Sequence, residues 1–189
     1  MNSLISHIQK FIPLNNEEAE IVLSYFKIEK FKKKQLLLQE NQICNKQYFI
    51  VNGCVRFYIN TTKGTEQTTQ FGIENWWITD YLSFQYLTPS SFNIQAIENI
   101  EILSIERNSF EALLERLPKL EKYFRLVLQK SFGAAQVRIK YLFTMSAEER
   151  FHHMNDYFPE FIQRVPQYMI ASYLDFSAEF MSKIRSGKV

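Results

Sequence analysis

The apolar residues change their period abruptly near Arg107, and few architectures accommodate both halves. Before it, Tyr48–Val51, Val55–Ile59, Thr65–Phe71, Phe92–Ile97 and Glu101–Ile105 are short runs rich in aromatic and β-branched residues. Asn52-Gly53 and Thr61–Gly64 supply turns between them. Many short strands joined by tight links predict a sandwich or roll rather than βαβ units. After Arg107, apolar residues recur every three or four positions. Phe110, Leu113, Leu114 and Leu117 predict a brief helix, and Pro118 suits the start of another running to about Met145.

That second helix carries two adjacent apolar stripes. Leu120, Phe124, Val127, Ser131, Ala134, Arg138 and Tyr141 make one; Leu128, Phe132, Ala135, Ile139 and Leu142 make the other. Two faces need two covering surfaces: one is the chain's own body, and a second subunit is the natural candidate for the other. The first stripe is taken as the expected dimer seam, with a wholly intramolecular core helix as the alternative. Upstream, Ser3–Tyr25 predicts two short helices, the second capped by Asn15 or Asn16 with Glu17 and Glu18 in its first turn. The basic run Lys30, Lys32, Lys33, Lys34 reads as the solvated edge of a strand.

Composition excludes several functions. The 189 residues carry 22 Lys+Arg against 20 Asp+Glu, so the bulk field is too weak to grip nucleic acid, although a small local reader is still open. Only three histidines are present, His7, His152 and His153, and none falls on the predicted strands where a cupin-type metal site would need them. His152 and His153 are adjacent and point about 100° apart on a helix. Cys44 and Cys54 form no cluster and are expected as buried free thiols. There is no nucleophile elbow, zincin helix or phosphate-binding loop, so an enzyme, a metal and a cofactor are not expected. No apolar run of about 18 residues and no signal-peptide plan are visible, which predicts a cytoplasmic protein without a membrane partner.

The final residues read as short helices. Ser146 with Glu149 is a capping-box pattern opening a segment that Pro159 ends. Pro166 opens Gln167–Leu174, Asp175-Phe176 turns, and Ser177–Arg185 is a last helix. Ile170, Ala171 and Leu174 can pack against Phe180, Met181 and Ile184. This is either a helix-turn-helix or simply a small helical hairpin. In the first case Ser177, Ala178, Glu179, Ser182, Lys183, Arg185 and Lys188 are placed to meet bases and phosphates of double-stranded DNA. Residues 146–189 hold five basic and six acidic groups, yet 181–189 hold three basic and no acidic ones.

The ordered series of segments resembles the Crp/Fnr family, particularly its shorter Bacteroidetes-type members. VNGCVRFYINTTKGTEQTTQF resembles the family's paired roll strands, FGIENWWITDYLSF its ligand-binding cassette and NIQAIENIEILSI its closing strands. RVPQYMIASYLDFSAEFMSKIRSGKV resembles its helix-turn-helix. The resemblance implies an α+β chain: a double-stranded β-helix, or jelly roll, with N-terminal helices over 1–106, a helical connector and dimerisation helix over 107–145, and a DNA-binding domain over 146–189. No wing is evident after the reading helix. The implied function is that of a homodimeric transcriptional regulator, with RNA polymerase as a further partner and a small-molecule effector in the roll. The alternative is a ligand-binding or scaffold protein that has lost DNA recognition.

Two departures sharpen this. The family's cyclic-nucleotide binders hold the phosphate with an Arg-Ser or Arg-Thr pair, whereas Phe92-Asn93-Ile94-Gln95-Ala96 contains no cation. Cyclic AMP is therefore not the expected effector. An apolar pocket built from Phe71, Glu74, Trp76, Trp77, Tyr81, Phe84, Asn93 and Gln95 is the candidate site, with simple core filling as the competing reading. Asp175 stands where the family's turn usually has Gly, a conformation Asp tolerates.

Overall fold

The computed structural model describes residues 2–185. Two helices come first, α1 (Asn2–Gln9) and α2 (Asn16–Ser24). Asn15 starts α2 through a reciprocal box. Its side chain accepts from Glu18 N–H at 2.8 Å, while the Glu18 carboxylate accepts from Asn15 N–H at 2.9 Å.

Eight strands follow: β1 (Lys27–Phe31), β2 (Leu36–Leu38), β3 (Lys46–Asn52), β4 (Val55–Asn60), β5 (Glu66–Gly72), β6 (Trp77–Ile78), β7 (Asn93–Ala96) and β8 (Ile100–Glu106). They form two four-stranded sheets, ordered β1-β8-β3-β6 and β2-β7-β4-β5. Neighbours that are distant in sequence, such as β1 with β8, define the expected jelly roll. Val55, Phe57, Ile94 and Ala96 meet Tyr48, Ile50, Ile78 and Ile102 in one buried cluster. Strand alternation therefore turns Arg56, Asn93 and Gln95 to the opposite face of their strands.

The lysines of the basic run do not share a strand edge as expected. Lys32–Gln35 is a turn closed by Gln35 N–H to Lys32 C=O at 3.0 Å, with Gln35 Oε1 accepting from Lys32 N–H at 2.6 Å. A second turn depends on Gly53, whose φ is +104° and whose added Cβ would lie 2.5 Å from Ile100.

Short helix α3 (Tyr81–Tyr86) interrupts the strands, and α4 (Arg107–Arg116) and α5 (Lys119–Thr144) follow them. The remaining helices are α6 (Ala147–Tyr157), α7 (Pro159–Arg164), α8 (Gln167–Leu174) and α9 (Ala178–Arg185). Helix α7 was not anticipated from sequence. Pro159 does not only end α6 but opens a further turn, because the first helical position has no N–H to lose. No helix among the described residues is long and apolar enough to cross a membrane.

By compactness the chain divides into two units, the first holding residues up to 57 and 71–129, the second 58–70 and those from 130 onward. This division differs from the three consecutive segments read from sequence. It splits α5 and assigns the tip of the β4–β5 hairpin to the unit that contains the C-terminal helices.

Within the first unit, Glu29 on β1 meets Lys46 Nζ at 2.9 Å and accepts from the Ser104 hydroxyl. Burial opposes its ionisation, but Ser104 and Lys46 together hold the carboxyl below its ordinary value of 4.5. A carboxyl lowered in the folded state contributes stability above its unfolded pKa and loses it as pH falls through the folded value. Glu29→Gln should therefore flatten the acid side of the stability profile below about pH 4.5, as read by urea unfolding across pH. A parallel shift at every pH would contradict this role.

Candidate nucleic-acid interface

Helix α8 begins after Pro166, whose carbonyl accepts from Met169 and Ile170 N–H at 2.9 and 3.2 Å. Its inner side, Met169, Ile170, Ala171 and Leu174, is buried, and Met181 and Ile184 of α9 are buried with it. Ala171 permits the two backbones to approach. Asp175 ends α8 in the left-handed region at φ 63°, ψ 51°. Its N–H bonds Ser172 C=O and the N–H of Phe176 bonds Ala171 C=O, the pairing of a Schellman turn. Ser177 then starts α9, its hydroxyl accepting from Phe180 N–H at 3.2 Å.

The expected reading residues Ser177, Ala178, Glu179, Ser182 and Lys183 are all exposed. The side chain of Arg185 and all of Lys188 lie outside the described residues. Glu179 is held below the usual carboxylate range by backbone N–H at the start of α9 and by the Ser177 hydroxyl. It thus stays ionised as an acceptor, a form suited to a cytosine amino group.

The eight effector candidates do not converge on one cavity. Trp76 is half exposed and Trp77 is 7% exposed, facing opposite ways. Trp77 packs among Phe26, Phe49 and Phe124 at centroid distances of 5.9, 5.4 and 5.1 Å. Phe84 meets Phe110, which meets Phe124, so these rings bind α3, α4, α5 and β6 together. Phe71 is buried and Tyr81 is exposed. Glu74 accepts from Gly53 N–H at 2.7 Å and supports the β3–β4 turn.

Asn93 and Gln95 face away from the roll interior. Asn93 Oδ1 accepts from Glu40 N–H at 3.0 Å. Gln95 Oε1 accepts from Arg56 Nε and Nη2 at 2.9 and 2.7 Å. Arg56, 3% exposed, is the cation that reading along one strand missed: it comes from the neighbouring strand β4. At the start of α3, Asp80 fills the place an anion would take. Its Oδ1 accepts from Leu82 and Ser83 N–H at 3.1 and 3.2 Å, and its Oδ2 accepts from the Ser90 hydroxyl at 2.7 Å. Two open clefts of about 500 and about 300 Å³ lie elsewhere on the first unit, and none of the eight candidates lines either. Of the candidate rings, Phe71, Trp77 and Phe84 are buried in the core.

The seven expected seam residues also divide. Leu120 is buried, and Phe124 and Val127 pack on the same core. Arg138 donates to Tyr173 C=O at 2.8 Å, and Tyr141 lies 4.7 Å from the His153 ring. Only Ser131 and Ala134 are exposed. The solvent-facing apolar stripe is instead Leu128, Phe132, Ile139 and Phe143, at 42, 66, 52 and 86% exposure. The second stripe is the exposed one because the buried rings under β6 capture Phe124.

Histidine 7, half-buried on α1, packs against Phe11, Phe49 and Tyr123. Cys44 and Cys54 are buried free thiols, and no three His, Cys, Asp or Glu among the described residues group as metal ligands.

Residues 28–117 match the family model described as cyclic nucleotide-binding domain. No curated protein matches the chain. Among solved structures, the c-di-GMP responsive global regulator CLP of Xanthomonas campestris is 13% identical, with a TM-score of 0.75 over 92% of this chain and 91% of that one. FixK2 of Bradyrhizobium japonicum is 17% identical, with a TM-score of 0.71 over 86% and 83%. A protein assigned as a Crp/Fnr-family transcriptional regulator of Eubacterium rectale is 16% identical, with a TM-score of 0.70 over 94% and 87%. Residues 28–117 thus resemble a cyclic nucleotide-binding domain, and the chain shares its fold with these solved regulators.

The Trp77 assignment can be tested. Trp77 Nε1 donates to Tyr123 Oη at 2.7 Å, and Tyr123 Oη lies 2.8 Å from His7 Nδ1. An indole N–H only donates, so Tyr123 Oη is the acceptor in the bond from Trp77. Tyr123→Phe should cost about 1–3 kcal/mol in chemical denaturation, because the buried indole N–H loses this acceptor. Unchanged stability would show that Trp77 does not depend on this core contact.

Proposed function

We propose that this chain is a homodimeric Crp/Fnr-like transcriptional regulator that reads duplex DNA with α9. The observation that carries this reading is the Schellman turn at Asp175, which presents Glu179, Ser182 and Lys183 together on one exposed helix face. A reader of this size relies on few contacts: Glu179 for a base edge, Ser182 for a base or phosphate, Lys183 for a guanine edge or phosphate. Binding to duplex DNA should weaken steeply with salt. Lys183→Ala should lower affinity across sequences and reduce the logarithmic salt slope by about 1. Glu179→Ala should instead relax preference at one base position. Selection from a randomised duplex library reads both effects, and failure of the parent protein to enrich any sequence would favour a scaffold or ligand-binding role.

The dimer seam in this reading is the exposed stripe Leu128, Phe132, Ile139 and Phe143, whose spacings of four, seven and four continue the pattern of a helix-pairing face. Phe132→Glu should give monomers in sedimentation with the helix content retained. Leu120→Glu should instead unfold the first unit, since it buries a charge in that core. Dimers that survive Phe132→Glu together with Ile139→Glu would place the seam elsewhere.

The effector of this regulator, in the same reading, is not a cyclic nucleotide. Asp80 already occupies the N–H groups that open α3, and a carboxylate repels a phosphate ester there.

A further inference from the structure

The last three carbonyls of α8 are each held by a different element of the second unit. Gln67 Nε2, from the hairpin, donates to Ser172 C=O. Arg138 Nη2, from α5, donates to Tyr173 C=O at 2.8 Å, with its guanidinium 4.5 Å over the Tyr173 ring. Arg150 Nε, from α6, donates to Leu174 C=O at 3.0 Å and Nη1 to Met145 C=O at 2.7 Å. The Schellman turn already pairs Ser172 C=O, while the end of a helix carries partial negative charge, so two guanidinium groups are well placed at the Tyr173 and Leu174 carbonyls. Arg138 and Arg150 come from outside the helix pair, and so does the hairpin.

Ser172 makes the hairpin contact reciprocal. Strand β5 is the edge of its sheet, so groups on its outer side have no strand to pair with. The Ser172 hydroxyl accepts from Thr68 N–H at 2.8 Å and donates to Glu66 C=O at 3.0 Å. One hydroxyl thus serves both a donor and an acceptor that a further strand would have engaged.

The contact also leaves two buried polar atoms without partners. Thr68 Oγ1 and Arg138 Nε are buried beside it with no hydrogen-bond partner among the described residues. Each forfeits its hydration while the contact is closed and regains it on opening. The bonds that close it are polar, unlike the apolar packing of Ile170, Leu174, Met181 and Ile184 that holds α8 to α9. Opening the one leaves the other intact.

We propose that Ser172 is a reversible clasp by which hairpin 58–70 sets the pose of the reading helix. In the closed state α8 ends with all three carbonyls fixed and the face of α9 exposed, so closure pre-organises the reader and lowers the ordering cost of binding. A signal that moves the hairpin is thereby transmitted to α9. The clasp itself stands on the contacts above; its consequence for DNA rests on the reading of α9 as a DNA-contacting helix.

Two variants of the full-length protein separate closed from open. Ser172→Ala removes the reciprocal bonds and should speed hydrogen exchange at the Thr68 amide about tenfold, the worth of one net hydrogen bond. Thr68→Val keeps that amide and the side-chain shape but removes the unpaired hydroxyl, and should slow the same exchange several-fold. Ile170 and Leu174 amides, inside the helix pair, report whether α8 stays folded in both. With operator DNA selected by the parent protein, Ser172→Ala should bind several-fold more weakly and Thr68→Val more tightly. Equal Thr68 exchange in Ser172→Ala and parent, or faster exchange in both variants, overturns the clasp. Opposed exchange shifts with equal DNA affinity overturn the coupling to α9. Opposed exchange shifts with no DNA bound by any of the three proteins support the clasp and count against the DNA reading.

Discussion

A single hydroxyl sits where the first unit's elements meet. Tyr123, fully buried on α5, accepts from Trp77 of β6 and shares a hydrogen bond with His7 of α1. Burial pushes its phenol up, with the Trp77 hydrogen bond acting in the other direction, so the group stays protonated and keeps both partners. Around it, Phe11, Phe49 and Phe124 pack edge-on or tilted, which aligns three elements from distant parts of the chain. Because Tyr123 and Phe124 commit one side of α5 to this core, the helix has only its other side to offer a second subunit.

The same economy governs several polar groups of the roll, which are partnered within the chain. Asp80 takes the N–H groups that open α3, Glu74 secures Gly53, and Arg56 clasps Gln95. Buried polar groups need partners, and at these three positions the chain supplies its own, whereas Asn93 Nδ2 is buried without one among the described residues.

Local rules made much of this legible. Asn15 with Glu18 and Ser146 with Glu149 form the capping boxes that their spacing suggests, because a cap involves only residues three apart. Asp175 adopts the left-handed turn, and α8 spans the residues expected for it. Lys32–Lys34 misled because a run of lysines does not distinguish a strand edge from a turn. Helix α7 was hidden because Pro159 can serve as a stop or a start. Nothing along the chain marks Gln67, Arg138 and Arg150 as caps of one helix, since they lie 105, 35 and 24 residues from the carbonyls they bind.

What the amino-acid order determined by itself was therefore periodic and short-range: two N-terminal helices, strands up to Arg107, helices after it, and a turn at Asp175 between the last two. It also determined that the long helix has two apolar faces. Which face is buried was decided only by tertiary structure, because Leu120, Tyr123 and Phe124 meet Trp77 and the N-terminal helices across more than forty residues. Partnering at Arg56 and at Ser172 was decided the same way. Hydrogen bonds across strands and between a hairpin and a helix depend on register and approach, and neither is written in local spacing.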